Sequence, residues 1–396
     1  MMKSCLLWLN VLADLFRFLV LSLRSQSSLA AENLFRGGSS SSPPQSKVLN
    51  VTNFNGNSVT KYRAGSQGDI SPMSTISGNN TQLNAPYGGV IDGKGNLYVA
   101  NFNGNSITEY ADGSSGNAAP IAVVSGAATG LNGPNGIALD ASGNVYVANF
   151  YTSTVEIFVK GSSGNVAPTA IISGAATGLD GPEGLVLDKN RNLYVVNDTN
   201  DSVSKFAAGS SGNIAPTSVI RGAATGLSGP QAVVLDAANN IFVANFNGDS
   251  VTEYAAGSTG NVAPIATISG TNSGLNGPSA LLLDTKGKIL VGNFSDDTIV
   301  EYPAGSKGNV APSATLGVVD KGLHNPLGIK LGPDGNIYVA NINNTITTYS
   351  PGSNRNAVPI ATIGGSSTML DEPADICGPQ KFNDGHAASA TRVYSW

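Results

Sequence analysis

Three features of this 396-residue sequence predict an all-β fold, a seven-bladed propeller of four-stranded antiparallel blades: a 48-residue repeat, four short strand-like runs in each unit, and strands that are apolar on both faces. The period is read from an Asn that recurs at Asn53, Asn101, Asn149, Asn197, Asn245, Asn293 and Asn341. A Pro keeps the same step at Pro86, Pro134, Pro182, Pro230, Pro278 and Pro326, then arrives one residue early at Pro373. The missing residue belongs to the short turn Asn343-Asn344-Thr345.

The unit from Gly133 to Gly174 illustrates the elements. Gly136–Asp140 reads as the first strand and Asn144–Ala148 as the second, with Ala141-Ser142-Gly143 as a tight turn between them. Thr154–Phe158 is the third strand, and Pro168–Ile172 the fourth, after a Gly-Ser-Ser-Gly-Asn loop. β-Branched and aromatic residues fill these runs, and helical periodicity is absent. In Val145-Tyr146-Val147-Ala148 the valines face one way and Tyr and Ala the other. A strand that is apolar or small on both faces needs cover on both, which flanking blades supply. A β-solenoid would need shorter coils and parallel pairing.

The ends of the repeat predict how the ring closes. The first unit lacks a first strand, and the last consists of little else, Pro373-Ala374-Asp375-Ile376. Residues 47–382 make 336, seven times 48. A C-terminal first strand is therefore expected to complete the N-terminal blade. Gly378-Pro379 stands where other units carry Leu-Asp, so a six-bladed ring with a frayed unit is the alternative.

Composition excludes several classes. Charged residues are 12% of the chain, against about 25% in an average soluble domain. Hydrophobic residues are 41%, enough for a large core, so a coiled coil or a charged disordered chain is excluded. Twenty-six acids against 21 bases argue against a nucleic-acid partner. Two His and two Cys argue against a zinc ribbon or a disulfide scaffold.

Outside the repeat, residues 1–30 read as a signal peptide or membrane anchor. Cys5 to Leu23 contains 15 apolar residues in 19, Lys3 precedes it, and Ser28-Leu29-Ala30 offers a cleavage site. Asp14 and Arg17 interrupt the run, and with Asn10 and Arg24 they share one helical face, as an interfacial anchor would have them. Membrane contact is expected only through residues 5–23, if they are retained. Residues 31–46 read as a flexible linker, 47–382 as the propeller and 383–396 as an irregular tail.

The stretch GPNGIALDASGNVYVANFYTSTVEIF, Gly133 to Phe158, resembles an NHL repeat, and the likeness recurs over about 85% of the chain. It departs from the usual pattern at Asn149, where NHL repeats place Asp, and at Thr154, where they place Arg. Bridges built by that Asp and Arg are not expected here. The resemblance implies the propeller fold and a binding or scaffold role. More distantly the chain is similar to propellers of the streptogramin lyase and gluconolactonase type, which use a His base or metal ligands at the channel mouth.

In a near-uniform repeat the variable positions are the candidates for a site. The residue after the recurring Pro is Tyr87, Asn135, Glu183, Gln231, Ser279, Leu327 and Ala374; these are expected at the start of the innermost strands, lining the channel mouth as a ligand site or drifting as a solvated position. The residue after the recurring Asn is Phe at Phe54, Phe102, Phe150, Phe246 and Phe294, either a rim that grips a ligand or plugs between blades. Glu183, Asp198 and Asp201 break the pattern together and are a candidate Ca²⁺ site, with Asp296 and Asp297 as a second. The recurring Asn is expected to shape its turn by bonding backbone two residues on. Asp92, Asp140, Asp188, Asp236 and Asp284 are expected to form hairpin turns at the opposite side.

The expected function is an exported, non-catalytic propeller, secreted or at the cell surface or periplasm, that binds a protein, peptide or glycan through its channel-mouth face. A monomer without a resident cofactor is expected. A propeller lyase or hydrolase is the alternative, with His324 in an inter-blade loop and His386 in the tail as its histidines. No phosphate loop, G-x-S-x-G or HExxH motif is present, and the GSSG segments recur as loops.

Overall fold

The chain divides into two units, residues 1–43 and 44–396. A computed structural model describes residues 48–317, 322–332, 334–354 and 357–378. The leader, the linker, the tail and His386 lie outside these residues. No described helix is long and apolar enough to cross a membrane.

The described residues form seven four-stranded antiparallel sheets. Blade 3 shows the plan: Pro134–Leu139, Val145–Asn149, Thr154–Phe158 and Ala170–Ile172 pair in chain order. The first strand starts two residues earlier than its sequence pattern, because a bulge between Pro134 and Ile137 lets the Pro enter the ladder without an N–H to give. The fourth strand is shorter than predicted, beginning at Ala170. Asp140 Oδ1 accepts from the N–H groups of Ser142 and Asn144, at 2.9 Å each, which fixes the expected hairpin turn.

The seven first strands touch one another in a closed cycle, which places them innermost. Their tight approach explains the small residue after the variable position: a Cβ on Gly136 would lie 2.5 Å from the Glu183 carbonyl oxygen of blade 4. The core is divided among the blade interfaces. Seven apolar clusters each join two adjacent blades; Val90, Tyr98 and Ala100 of blade 2, for example, pack on Ile137, Val145 and Val147 of blade 3. Each such side chain contributes about 1.5–3 kcal/mol when buried, so a lone blade would forfeit both of its interfaces.

The ring closes with seven blades. Pro373–Cys377 pairs antiparallel with Val48–Asn53, so blade 1 takes its innermost strand from the C-terminal end and three from the N-terminal end. At the periphery, in blades 1–6, the loop before the fourth strand hooks onto the preceding blade: Gly116 donates to Thr75 O at 2.6 Å, and the side chain of Asn117 accepts from Asn80 N–H at 2.8 Å. The GSSG segments therefore act as clasps. The same contact crosses the closure, where Gly68 bridges Ile363.

Candidate functional site: the channel-mouth face

Inter-blade loops and second-to-third-strand turns share one face, and two belts of side chains hold them in place. The recurring Asn forms the first belt. It is fully buried in all seven blades. Its Oδ1 accepts an N–H from the loop entering its own blade: Asn84 to Asn101 at 3.2 Å, Asn132 to Asn149 at 3.0 Å, His324 to Asn341 at 3.1 Å. Its Nδ2 reaches across to the third strand, as from Asn101 to Thr108 at 3.1 Å. The expected bond to backbone two residues on is replaced by a contact 17 residues back, because the side chain points into the blade.

The second belt ties each blade to the next. Residues at positive φ in the turn accept an N–H from the following inter-blade loop: Asn57 from Ala85 at 2.7 Å, Asn105 from Gly133 at 2.8 Å, Ser153 from Gly181 at 3.2 Å, Asp201 from Gly229 at 2.7 Å. Asp249, Asp297 and Asn344 do the same toward Gly277, Asn325 and Glu372, at 2.7, 2.6 and 2.7 Å.

The seven residues after the recurring Pro start the innermost strands as expected, but they are buried, from 0% exposure at Gln231 and Ser279 to 5% at Leu327. Their variation is therefore not that of a solvated position. Neither amide atom of Gln231, nor Oδ1 of Asn135, has a hydrogen-bond partner among the described residues.

The five phenylalanines divide in role. Phe102 and Phe294 are buried, whereas Phe54, Phe150 and Phe246 are half-buried. Each of Phe102, Phe150 and Phe246 lies over the glycine of the next inter-blade loop: Cε2 is 3.4 Å from a Cβ built on Gly133, 3.4 Å on Gly181 and 3.1 Å on Gly277. They plug the joints and leave their outer edges on the face. The sequence pattern alone did not expose Tyr151, which is 61% exposed. It joins Phe54, Tyr87, Phe102 and Phe150 in one continuous aromatic arc over blades 1–3, with neighbouring ring centroids 5.4–6.4 Å apart. Tyr151 stands where other blades carry Asn, Ser or Thr, a break in the repeat that would have marked it. Phe246 and Phe294 form a second pair at 6.3 Å.

The remainder of the face is acidic. Among the described residues no three His, Cys, Asp or Glu side chains converge to hold a metal ion, so Glu183, Asp198 and Asp201 do not form the trio proposed from sequence. Glu183 is buried in the innermost strand, while Asp201 is exposed and engaged in the second belt. Asp296 keeps its proton to higher pH than an ordinary Asp, through partial burial of its carboxyl and the nearby charges of Asp297 and Asp249. His324 Nδ1 is 3.4 Å from Asp297 Oδ2, a pair that sequence reasoning missed. The 28-residue step of the second belt brings them together, since Asp297 anchors the adjacent Asn325. Away from this face, a crevice between blades 2 and 3, lined by Tyr98, Glu109, Val124 and Phe158, has room for little more than one water molecule.

The closed ring of four-stranded blades and its mouth-side loops define a seven-bladed β-propeller. The NHL-repeat model matches residues 131–158, the inter-blade loop and first three strands of blade 3. No curated protein matches the chain. Among solved structures it is similar to the periplasmic gluconolactonase PpgL of Pseudomonas aeruginosa, at 16% identity and TM-score 0.64 over 83% of this chain and 98% of that one. A putative 6-phosphogluconolactonase of Bacteroides uniformis aligns at 17% identity and TM-score 0.61, covering 83% and 97%. A streptogramin B lyase aligns at 14% identity and TM-score 0.55, covering 76% and 89%. At these identities the likeness is one of fold.

Proposed function

We propose that this chain is an exported, non-catalytic propeller that binds a protein or peptide partner across its channel-mouth face. The observation that carries this reading is exposed Tyr151, seated against buried Phe102 and half-buried Phe150 at the end of the aromatic arc, on a face whose seven inner residues are buried. An exposed aromatic is an anchor of the kind that dominates peptide and protein contacts. The leader motif at residues 5–23 motivates export.

The test is binding of the purified chain to peptide and glycan arrays, with Tyr151→Ser as the mouth-side variant and Lys189→Ser as the hairpin-side control. Peptide binding that Tyr151→Ser weakens and Lys189→Ser leaves unchanged supports the reading. Loss in the control variant alone would refute it.

A lyase or hydrolase is the second reading, and the His324–Asp297 pair on the same face favours it. A general base oriented by a carboxylate is a common catalytic arrangement. Turnover of a lactone or cyclic ester that His324→Asn abolishes would establish this reading in place of the first.

A further inference from the structure

The basic residues of the ring are sorted by face, whereas acids stand on both. The turns of blades 4–6 carry Asp198, Asp201, Asp249, Asp296 and Asp297. Asp180 precedes blade 4, and Asp371 and Glu372 precede the closing strand, so acids flank both ends of the aromatic arc. Among the described residues, Arg221 is the one Lys or Arg on the mouth-side loops and turns, at the outer edge of blade 4. The opposite side holds basic residues such as Lys94, Lys189 and Lys286 in its hairpins.

This charge is surplus to the fold. Asn57, Asn105 and Asn344 make the blade-to-blade bond at 2.7, 2.8 and 2.7 Å, and Asp201, Asp249 and Asp297 make it at 2.7, 2.7 and 2.6 Å. An amide serves the turn as well as a carboxylate does. Three consecutive blades nevertheless carry the carboxylate, in a chain with few charges, where crowding raises the cost of each.

We infer that the mouth-side face docks a basic segment of a partner protein, whose Arg or Lys side chains lie along the acidic arc while its apolar side chains rest on the aromatic arc. The inference rests on the binding reading above and specifies its partner. Charge complementarity selects the cation and repels a nucleic-acid backbone. Tyr151 offers a ring face to a guanidinium, and the half-buried rings of Phe54 and Phe150 offer apolar contact. An unaided metal ion is not the occupant, since no three of the described carboxylates converge on one point.

The test uses fluorescence anisotropy of the purified chain with three labelled short peptides that alternate Leu with Arg, Gln or Glu. The charge variant is Asp201→Asn/Asp249→Asn/Asp297→Asn, which keeps every turn acceptor, and its melting temperature is measured alongside. The Arg peptide is expected to bind best. Its affinity is expected to fall about tenfold in the charge variant, as three weak surface contacts together predict, and to fall likewise as salt is raised. Equal affinity in a normally melting charge variant, or a preference for the Glu peptide, would overturn the inference. If the variant does not fold, the salt dependence of the native chain decides in its place, a flat response overturning the inference. Binding of the Gln peptide that only Tyr151→Ser weakens would overturn the basic partner and leave the binding reading standing. Binding of none of the three peptides would overturn both.

Discussion

Glu156 is the residue whose replacement tests the repeat logic most sharply. It lies in the third strand of blade 3 and is fully buried. The same position holds Thr60, Thr108, Ser204, Thr252 and Thr347 in five other blades, each taking a bond from the Nδ2 of the buried Asn at 3.1–3.2 Å. In blade 3 that bond is missing. Asn149 reaches Thr154 instead, at 3.5 Å, and the Thr154 hydroxyl donates to Glu156 Oε1 at 2.7 Å, leaving Oε2 with no hydrogen-bond partner among the described residues. Burial pushes the Glu156 pKa up to about 8.

The sign follows from linkage. Below the unfolded pKa the carboxyl is protonated in both states and carries no charge penalty. As pH rises toward the folded pKa, the native state holds one proton more than the unfolded state, so stability falls by about 1.4 kcal/mol per pH unit, to a loss of order 4–5 kcal/mol above about pH 8. Glu156→Thr removes that loss and restores the Asn149 bond, a gain of about 1 kcal/mol, against a similar cost for the smaller side chain. The variant should lie within about 1 kcal/mol of the native chain near pH 5 and exceed it by about 4–5 kcal/mol near pH 8.5. Urea unfolding followed by circular dichroism at both pH values measures the gap, with Glu156→Gln as a second neutral variant. A gap of the same size at both pH values would refute the assignment of the penalty to this carboxyl.

The remaining predictions concern single buried polar groups. Tyr254→Phe should cost about 1 kcal/mol in urea unfolding, because the hydroxyl donates to Thr225 O at 2.6 Å; the fold should survive, since Phe158 and Phe206 occupy the equivalent sites. Gln231→Leu should raise stability by about 1 kcal/mol, measured as a higher urea midpoint, because it removes a buried amide with no protein partner and blade 7 already holds Leu327 there. Asp375→Ala should lower the midpoint by about 1–2 kcal/mol, by leaving Gly89 N–H without the carboxylate it donates to, even though Ala232 and Ala280 fit the equivalent sites.

The architecture was legible because a propeller writes the same constraint seven times. The 48-residue step of Asn and Pro, the doubly apolar strands and the split terminal unit each follow from one geometry, and closure by Pro373–Cys377 follows from counting. The site was less legible because its contacts link residues far apart in sequence. The bond from Gly133 to Asn105 spans 28 residues and carries no local pattern; Asn, Ser and Asp all serve it. The seven residues after each Pro do start the innermost strands, yet they are buried there, which periodicity does not show. Tyr151 and the His324–Asp297 pair were missed because each is one departure among many inside the repeat, with no local pattern to single it out.

The seam where the ring closes shows that such departures are matched to one another. Asp375 stands where the other blades carry Gly or Ala, Thr52 where they carry Ala, Val or Gly, and Gly89 where they carry Ile, Leu or Val. All three meet at the interface of blades 1 and 2. Asp375 Oδ2 accepts from Gly89 N–H at 3.2 Å, its own N–H donates to Thr52 Oγ1 at 3.1 Å, and that hydroxyl donates to Tyr87 O at 2.7 Å. A Cβ on Gly89 would lie 2.2 Å from Cys377 Sγ, so the glycine makes room for the closing strand. An apolar closing strand could slip by one residue at little cost; a buried carboxylate cannot, because a slip would strand it away from Gly89. Polar side chains thus set the register at the one joint where the chain's continuity does not.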